Sequence, residues 1–331
     1  MSWLVTGGAG YIGSHVVHRM RATNHKVVVY DDLSAGSAAR IPDDVPLCVG
    51  NLLDRSALAE AMRVHNIEGV VNLAARKSVP ESTADPLRYY RENLGGFITV
   101  LDAMNDAGVR HIVQSSSAAI YGGAPGPVHG ESTLVEPLSP YATTKLMAEH
   151  VLRDIAAAGS LSYLALRYFN PVGAASPELA EVGGTNVFSI LFDAIDTGEV
   201  FGVTGDDFDT RDGSGLRDYI HVEDLAAAHV AAVDYVLRHE GGQILNIGTG
   251  RGYTVFEMLE AVRDVTGLPV PHKVVDRRPG DPAGAVAAVD RAEALLDWRA
   301  GRDLREMVSS AWTMWRRQRE PRVSASVSTV P

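Results

Sequence analysis

Short apolar runs alternate with longer amphipathic stretches along the first half of the chain. The runs predict strands at Trp3–Thr6, Lys26–Tyr30, Gly69–Leu73, His111–Ser115 and Tyr163–Arg167. The stretches between them repeat their apolar residues at helical spacing and predict helices at Ile12–Ala22, Ser56–His65, Pro86–Ala107 and Tyr141–Ala157. Strands that alternate with helices indicate an α/β fold with a doubly wound parallel sheet of the Rossmann type.

The second half of the chain is less regular. Pro171–Thr185 and Asp206–Gly215 are rich in turn residues and predict loops. The apolar pattern predicts helices at Phe188–Thr197 and Val222–Leu237 and strands at Asp218–Val222, Gln243–Ile247 and Lys273–Val275. We therefore predict a first domain over residues 1–170, to which residues 218–237 return, and a smaller α/β domain over 171–320. Residues 321–331 are expected to form a disordered tail.

Charge and cysteine content narrow the classes of function. The 331-residue chain has 30 basic and 41 acidic residues and a formal net charge of −11, so binding to nucleic acid or to an anionic membrane is not expected. Cys48 is the only cysteine, which excludes an intramolecular disulfide and fits a reducing compartment. The sequence has neither a signal-peptide pattern nor an apolar run long enough to span a bilayer. A soluble, cytoplasmic protein is expected.

A glycine-rich turn follows the first predicted strand and opens the first predicted helix. Gly7, Gly10 and Gly13 stand where absent side chains let a pyrophosphate approach the helix N-terminus. Asp31 closes the next strand and is placed to accept hydrogen bonds from the adenosine ribose. Asp31 and Asp32 would repel a 2′-phosphate, so the pattern predicts NAD rather than NADP as the cofactor.

A second motif carries candidate chemistry. Tyr141 and Lys145 are four residues apart and share one face of a predicted helix that Ser139 can cap. An ammonium near a phenol favours the phenolate, so we expect Lys145 to lower the pKa of Tyr141 and to make it a usable acid and base. Ser117 lies just beyond a strand end, where its hydroxyl can hold a substrate oxygen.

Five segments together resemble the UDP-glucose (UDP-galactose) 4-epimerase family of extended short-chain dehydrogenases, with the likeness extending from Trp3 to about Trp315. They are TGGAGYIGSH, SSSAAIYG, SPYATTK, LRYFNPVGA and GLRDYIHVEDLA. The resemblance implies an NAD-dependent isomerase that epimerises a nucleotide-diphosphate hexose at C4 through a 4-keto sugar. The first domain would then bind NAD and the second the sugar nucleotide.

The resemblance also implies roles for individual residues. Ser117, Tyr141 and Lys145 match the catalytic positions. Besides Tyr141 and Lys145, the positions that match cofactor contacts are Gly7, Gly10, Tyr11, Ile12, Gly13, Asp31, Asn51, Leu52, Leu73, Lys77 and Asn93. With Ser117 and Tyr141, those that match contacts to the sugar nucleotide are Phe169, Asn170, Asn186, Arg217 and Arg278. No metal site is implied.

Two departures from the family pattern and three alternative functions bear on the likeness. Asn51 stands where the family commonly has Asp near the adenine, and Thr204 where a bulkier apolar residue often flanks the base. A 4,6-dehydratase needs an acid and a base directly after Ser117, but Ala118 and Ala119 stand there. A sugar-nucleotide reductase or dehydrogenase, and a non-catalytic NAD-binding protein, remain the alternative functions.

Two further expectations concern assembly and substrate range. Apolar residues on the helices Pro86–Ala107 and Tyr141–Ala157 predict a homodimer through paired helices, as in related enzymes. In relatives, a large aromatic residue near the stretch Gly284–Val286 restricts the sugar pocket. The small residues Gly284 and Ala285 predict that UDP-GlcNAc and UDP-GalNAc are accepted beside UDP-Glc and UDP-Gal.

Overall fold

The protein is described by a computed structural model over residues 2–159, 161–181, 186–277 and 282–319. Its strands, in chain order, are β1 (Ser2–Thr6), β2 (Lys26–Asp31), β3 (Leu47–Val49), β4 (Ile67–Asn72), β5 (His111–Ser117), β6 (Val128–His129), β7 (Ser162–Tyr168), β8 (Asn170–Val172), β9 (Phe201–Thr204), β10 (Leu216–His221), β11 (Gly242–Ile247), β12 (Gly252–Thr254), β13 (His272–Val275) and β14 (Gly284–Ala287). Its α-helices are α1 (Tyr11–Ala22), α2 (Arg55–Val64), α3 (Val79–Ala84), α4 (Pro86–Tyr89), α5 (Gly96–Ala107), α6 (Pro140–Ala157), α7 (Val187–Thr197), α8 (Val222–Val236), α9 (Val255–Thr266), α10 (Asp290–Leu296) and α11 (Leu304–Arg319).

The main sheet has seven parallel strands in the order β3-β2-β1-β4-β5-β7-β11. Its central strands are almost wholly buried because helices cover both faces of the sheet. Burial on both faces is also why these strands are continuous apolar runs in the sequence. The strand order reverses beside β1, with β2 on one side and β4 on the other. Ligands of such sheets bind outside the carboxyl ends of the strands at this point. The predicted α/β fold with a parallel sheet is confirmed.

Helices form a layer on each face of the main sheet. One layer contains α1 and α8, whose apolar residues join the strands in one core cluster, for example through Val17 and Val233. The other contains α2, α5 and α6, with Leu58, Phe97 and Leu152 in a second cluster. The chain thus returns to the main sheet after residue 217, both as α8 and as β11, which pairs with β7.

The remaining elements form a smaller α/β region. Strands β12, β10, β14 and β6 lie side by side, β8 pairs with β10, and β9 pairs with β13. Helices α7, α9 and α11 surround a separate core that includes Phe192, Met258 and Trp315. Strand β6 comes from the loop after β5, so the main sheet contributes directly to this region. No helix among the residues listed above could cross a membrane.

The predicted helix Pro86–Ala107 is interrupted. It consists of α4, a π-helical segment over Tyr90–Gly95 and α5, with helical backbone angles at both junctions. A π segment widens one turn and turns its side chains relative to a regular helix, and it often marks a functional site. Here it carries Asn93 to a buried position.

Candidate active site

The glycine turn between β1 and α1 is shaped for a close approach. Gly7 has φ +70°, and a Cβ there would lie 2.7 Å from the backbone nitrogen of Ala74. A Cβ on Gly13 would lie 2.0 Å from the Gly7 carbonyl oxygen, so helix and turn pack together without side chains. Gly10 is the N-cap of α1 and gives no side-chain hydrogen bond to its first turn. The amides of Tyr11, Ile12 and Gly13 therefore form an N-terminus suited to an anion.

Asp31 closes β2 directly beside this turn. Its Oδ2 accepts a hydrogen bond of 2.9 Å from the amide of Ala9, and its Oδ1 accepts one of 2.8 Å from the amide of Leu33. The side chain is 8% exposed. Asp31 is therefore a fixed, buried carboxylate at the carboxyl edge of the sheet rather than part of a solvated turn, which is where a ribose-binding acid is expected.

Asn51, Leu52 and Leu73 lie along the same edge. The Asn51 side chain donates to Asp32 Oδ2 at 3.1 Å and accepts from the amide of Leu53 at 3.0 Å. Leu52 is half-buried against Gly96 of α5. The Leu73 amide donates to the Thr6 carbonyl oxygen at 3.1 Å, which ties the loop after β4 to the end of β1.

The loop after β4 carries Lys77 and is held by the π segment. Asn93 Oδ1 accepts from the Arg76 amide at 2.8 Å, and its Nδ2 donates to the Arg76 carbonyl oxygen at 3.0 Å. The same amide group reaches Thr144 Oγ1 of α6 at 3.3 Å. Lys77 Nζ is 2.6 Å from Glu181 Oε1 in the second region. Asn93 therefore positions the loop of Lys77 against the helix that holds Tyr141.

The N-terminus of α6 brings Tyr141 to the end of β5. Ser139 caps the helix by accepting from the Ala142 amide at 3.2 Å, and Pro140 occupies its first position. Ser117 is the last residue of β5, and its hydroxyl accepts from the Ala119 amide at 3.2 Å. The Ser117 hydroxyl also hydrogen-bonds the phenol of Tyr141. The two residues predicted to meet at a substrate oxygen thus touch each other.

Lys145 lies one helical turn further along α6 and is 5% exposed. Its Nζ is 6.0 Å from the centre of the Tyr141 ring. It donates to the Ser115 carbonyl oxygen at 2.9 Å and to Ser115 Oγ at 3.3 Å. Burial lowers the pKa of Lys145 to about 8.

The expected effect of Lys145 on the pKa of Tyr141 is wrong for this arrangement. Burial raises the pKa of Tyr141, and the hydrogen bond from Ser117 lowers it only in part. The physical reason is that the ammonium points at Ser115 rather than at the phenol oxygen, while the ring is surrounded by protein. Ser117 is the hydrogen-bond partner that favours the phenolate here.

The predicted sugar-nucleotide residues fall on the second region. Phe169 is buried in a cluster with Tyr121 and Ala285. Asn170 begins β8 and donates through Nδ2 to the Asp218 carbonyl oxygen at 2.9 Å. Asn186 caps α7 through Phe188 and donates to the Pro171 carbonyl oxygen at 3.0 Å. One hydrogen of each amide nitrogen therefore bonds a backbone carbonyl oxygen.

Of the two arginines predicted to bind the sugar nucleotide, one lies on a strand of the second region. Arg217 lies on β10 and donates to the carbonyl oxygens of Leu216 and Pro282, at 2.8 Å and 3.2 Å. Arg278 lies outside the described residues. Beside Arg217, Gly284 is packed so that a Cβ would lie 2.8 Å from the Cβ of Pro127, whereas Ala285 is only half-buried. Gly284 is therefore tightly packed, while Ala285 is the less buried of the two small residues.

Two buried polar networks support the site and were not predicted from the sequence. In one, Thr6 donates to Asn72, Asn72 to Gln114 at 2.9 Å, and Gln114 to the Ser115 carbonyl oxygen at 2.8 Å. It joins the ends of β1 and β4 to the middle of β5. Polar residues at successive strand ends were the available signal.

The second network is a buried ion pair behind the site. Arg167 of β7 donates two hydrogen bonds to Glu149 of α6, at 2.9 Å and 2.7 Å. Ser116 donates to the same carboxylate at 2.6 Å, and Arg167 reaches the Tyr121 hydroxyl at 2.8 Å. The pair fixes α6 on the sheet one turn beyond Lys145. No spacing rule connects residues 149 and 167.

The residues present fit NAD. The glycine cradle that a Cβ would fill, the uncapped N-terminus of α1 and the buried carboxylate of Asp31 suit a pyrophosphate and an unphosphorylated ribose. Tyr141 and Ser117 lie at the same edge of the sheet, two strands away. The described residues contain no cluster of side chains that could hold a metal ion.

Similar proteins agree with this geometry. Residues 3–248 match the NAD dependent epimerase/dehydratase family. The UDP-glucose 4-epimerase of Erwinia amylovora is 41% identical over 332 residues, covering 96% of this chain and 98% of that protein. A solved UDP-glucose 4-epimerase from Stenotrophomonas maltophila, with bound NAD and formylated UDP-arabinopyranose, has a TM-score of 0.93 at 39% identity and covers 96% and 98% of the two chains.

A third similar protein is the UDP-Glc/GlcNAc 4-epimerase of Campylobacter jejuni. Its structure has a TM-score of 0.84 at 32% identity and covers 96% of this chain and 99% of that one. These similarities confirm the predicted resemblance, the NAD cofactor and NAD-dependent C4 epimerisation. The chain belongs to the NAD dependent epimerase/dehydratase family and, within it, to the UDP-glucose 4-epimerase family.

Proposed function

We propose that Tyr141 is the acid and base with which this chain epimerises a UDP-hexose at C4, and that Ser117 and Lys145 hold Tyr141 and the sugar in place. The observation that carries the proposal is the contact between Tyr141 and Ser117 at the carboxyl end of β5, with Lys145 directly behind them. A phenol and a hydroxyl in contact can share a single sugar oxygen, as proton transfer at C4 requires.

The proposed reaction has two symmetrical halves. Tyr141 takes the proton of the sugar 4-hydroxyl while Ser117 holds the same oxygen. NAD, when bound, supplies the group that accepts a hydride from C4 and returns it. The resulting 4-keto sugar turns over, and Tyr141 gives the proton back on the opposite face. The diphosphate stays fixed throughout, so the hexose alone must be loosely held.

Residues at the ends of four strands, together with Asn93 of the π segment, are proposed to bind the cofactor. The amides after Gly10 would face the pyrophosphate, and Asp31 the adenosine ribose. Asn51 and Leu52 would flank the adenine. Leu73, Lys77 and Asn93 would line the half nearer to Tyr141, where Lys77 has to leave Glu181 to reach a cofactor oxygen.

The second region is proposed to bind the UDP part of the substrate. Asn170 and Asn186 each keep one amide hydrogen for an oxygen of the ligand. Arg217 and Arg278 are proposed to contact the diphosphate, because guanidinium groups bind phosphate in two-point fashion. Phe169 would form an apolar wall near the sugar.

The sugar pocket is proposed to admit an N-acetyl group. Ala285 is half-buried in the same cluster as Phe169 and Ala118, and Ala118 directly follows Ser117 in the sequence. The side chain of Ala285 is a single methyl group. The Campylobacter jejuni neighbour is named as an enzyme for both UDP-Glc and UDP-GlcNAc. The proposed substrates are therefore UDP-GlcNAc and UDP-GalNAc beside the plain hexoses.

A homodimer in the cytoplasm is proposed as the working form. Leu87, Ile98 and Met147 are exposed apolar residues on α4, α5 and α6, by 71%, 44% and 40%. By contrast, Val151 and Ile155 of α6 pack against the intramolecular core. The exposed set offers the surface for a second subunit.

An isotope experiment tests the proposed function. Convert UDP-glucose deuterated at C4 with the purified protein and no added NAD, then locate the label in UDP-galactose by NMR. We expect the deuterium to remain at C4, because the hydride leaves and returns within one bound cofactor. A 4,6-dehydratase would move the label to C6, and loss of label to solvent would contradict the proposal. A protein that only binds NAD would leave UDP-glucose unchanged.

A further inference from the structure

A chain of buried hydrogen bonds leads from Lys145 through the main sheet to α8. Lys145 Nζ donates to Ser115 Oγ at 3.3 Å. The Ser115 hydroxyl is hydrogen-bonded to the phenol of Tyr168, and Tyr168 is hydrogen-bonded to Nε2 of His229. His229 Nδ1 lies 2.8 Å from the Leu225 carbonyl oxygen. Lys145, Ser115, Tyr168 and His229 are all more than nine-tenths buried.

This chain of hydrogen bonds crosses the main sheet. Ser116 points to Glu149 of α6, so its neighbour Ser115 points to the opposite face, where Tyr168 and α8 lie. Lys145 reaches Ser115 from α6 at the strand end. One face of the sheet carries the proposed acid and base, and the other carries His229.

The partners fix the direction of every donor in this chain. A carbonyl oxygen can only accept, so Nδ1 of His229 carries a hydrogen and donates to Leu225. Burial lowers the pKa of His229 to about 4, which leaves Nε2 as a lone pair near neutral pH. Tyr168 must then donate to His229, and Ser115 must donate to Tyr168. Both lone pairs of Ser115 Oγ are left facing the ammonium.

From this geometry we infer that His229 is a positioning residue: its Nε2 lone pair orients Tyr168 and Ser115 so that Lys145 is held as an ammonium beside Tyr141. This inference rests on the role proposed for Lys145 in the reaction. His229 itself touches neither Tyr141 nor the sugar site, and it acts only through the chain.

Loss of the His229 acceptor reverses the donor direction of the hydrogen bonds in this chain. Tyr168 would turn its hydroxyl towards Ser115, and Ser115 would turn its hydrogen towards Lys145. An ammonium has no lone pair to accept that hydrogen, whereas a neutral amine has one. The reversed chain therefore favours the uncharged form of Lys145. The ionisable side chains along the path are Tyr141 and Lys145 on α6, Tyr168 on β7 and His229 on α8.

The test measures Lys145 directly. The sequence has only four lysines, so ε-¹³C-lysine NMR resolves Lys145 once Lys145→Met has assigned its signal. Titrate the protein as purified, with the same cofactor content in each variant. We expect His229→Leu to lower the pKa of Lys145 by about one unit, the equivalent of one hydrogen bond. The alkaline limb of the kcat profile should move by the same amount while KM stays nearly unchanged.

Two further variants and one control make the result decisive. His229→Gln offers an amide oxygen to Tyr168 and should restore most of the shift. Tyr168→Phe cuts the chain between Ser115 and His229 and should lower the pKa of Lys145 as well, which keeps the test open if His229→Leu fails to fold. His221→Leu removes an equally buried imidazole that pairs with Ser310 instead, and it should leave the Lys145 titration unchanged.

An unshifted Lys145 titration in both His229→Leu and Tyr168→Phe would overturn the inference. So would a shift of equal size in His221→Leu, which would indicate general loosening of the fold. Failure of the proposed function has a separate signature. In that case the wild-type protein would not interconvert UDP-hexoses, or Lys145→Met would retain normal turnover, whatever the His229 variants do to the titration.

Discussion

Lys145 and Tyr141 share one face of α6, with the ammonium nitrogen 6.0 Å from the centre of the phenol ring. The ammonium is turned towards Ser115, so the phenol oxygen has Ser117 as its direct hydrogen-bond partner. This division separates two tasks. In the proposed reaction Ser117 acts on the reacting oxygen, while the buried ammonium of Lys145 lies behind the ring.

The first prediction concerns the proposed acid and base. Tyr141→Phe removes the only side-chain atom of residue 141 that can take the sugar proton, while the ring keeps its shape. We expect kcat to fall by about 10²–10⁴-fold, the usual contribution of general acid–base catalysis. Bound NAD, measured by absorbance after acid release, should stay at the wild-type level. A Tyr141→Phe variant with near-normal kcat would show that another group moves the proton.

The second prediction concerns cofactor choice. Because Asp31 is a buried carboxylate fixed by Ala9 and Leu33, a 2′-phosphate next to it is repelled. The protein should release NAD(H), and not NADP(H), on acid extraction and chromatography. Asp31→Asn should narrow the preference for NAD by about tenfold, or ~1.4 kcal/mol. The exposed neighbour gives the control, since Asp32→Asn should narrow it less. NADP as the main extracted nucleotide would contradict the role predicted for Asp31 in selecting NAD.

The third prediction concerns the sugar 2-position. Ala285 is proposed to leave room that a large side chain would fill, so the wild-type protein should convert UDP-GlcNAc as well as UDP-glucose. Ala285→Tyr should abolish conversion of the N-acetylated pair, because a steric clash costs far more than the ~1–3 kcal/mol of a lost contact. The plain hexoses serve as the internal control and should still react. Comparison of kcat/KM for UDP-GlcNAc and UDP-glucose shows whether the pocket admits an N-acetyl group. A wild-type protein inactive on UDP-GlcNAc would refute the open pocket.

The fourth prediction concerns assembly. Light scattering at micromolar concentration should give the mass of a dimer. Placing a charge in the exposed apolar set, as Ile98→Glu or Met147→Glu, should shift the protein to monomer because a buried unpaired charge is costly. Val200 is similarly exposed, at 51%, but lies outside that set, so Val200→Glu should remain dimeric. A monomeric wild-type protein would contradict the proposal outright.

The fifth prediction concerns stability at low pH. Burial lowers the pKa of His15 and His229 to about 4 and that of His221 to about 3. Between pH 6.5 and 4 these imidazoles bind protons in the unfolded chain but not in the folded chain. The free energy of unfolding therefore falls as pH falls. The expected slope is about 1.4 kcal/mol per pH unit for each imidazole.

Urea unfolding at pH 7, 6 and 5 measures that slope. Replacing one buried imidazole, as in His15→Gln, should reduce it by about one proton. If the slope of His15→Gln equals that of the wild-type protein, the imidazole of His15 is protonated in the fold.

The sequence predicted the elements that have a long, regular pattern. Helix α6 was placed to within one residue, because Ser139, Pro140 and the apolar period all indicate the same start. The glycine turn and Asp31 were equally clear, since only backbone geometry and a short spacing define them. Both kinds of feature are local, and local patterns are what a single sequence carries.

Features that depend on tertiary contacts were not predicted. Strands β6, β8 and β14 have two to four residues and form only because β10 and its neighbours offer edges to pair with. The π segment around Asn93 left no trace in the apolar period of Pro86–Ala107. The direction in which Lys145 points depends on Ser115, a residue thirty positions earlier. This contact is why the expected effect on the pKa of Tyr141 was wrong.

We propose that this chain interconverts UDP-hexoses at C4 on NAD that never leaves it. Purified protein is incubated with UDP-glucose, and separately with UDP-galactose, without added NAD, and proton NMR follows both sugars. We expect the two mixtures to converge on the same ratio, with many turnovers per protein molecule. No interconversion from either side, or product formed only in proportion to added NAD, would contradict it.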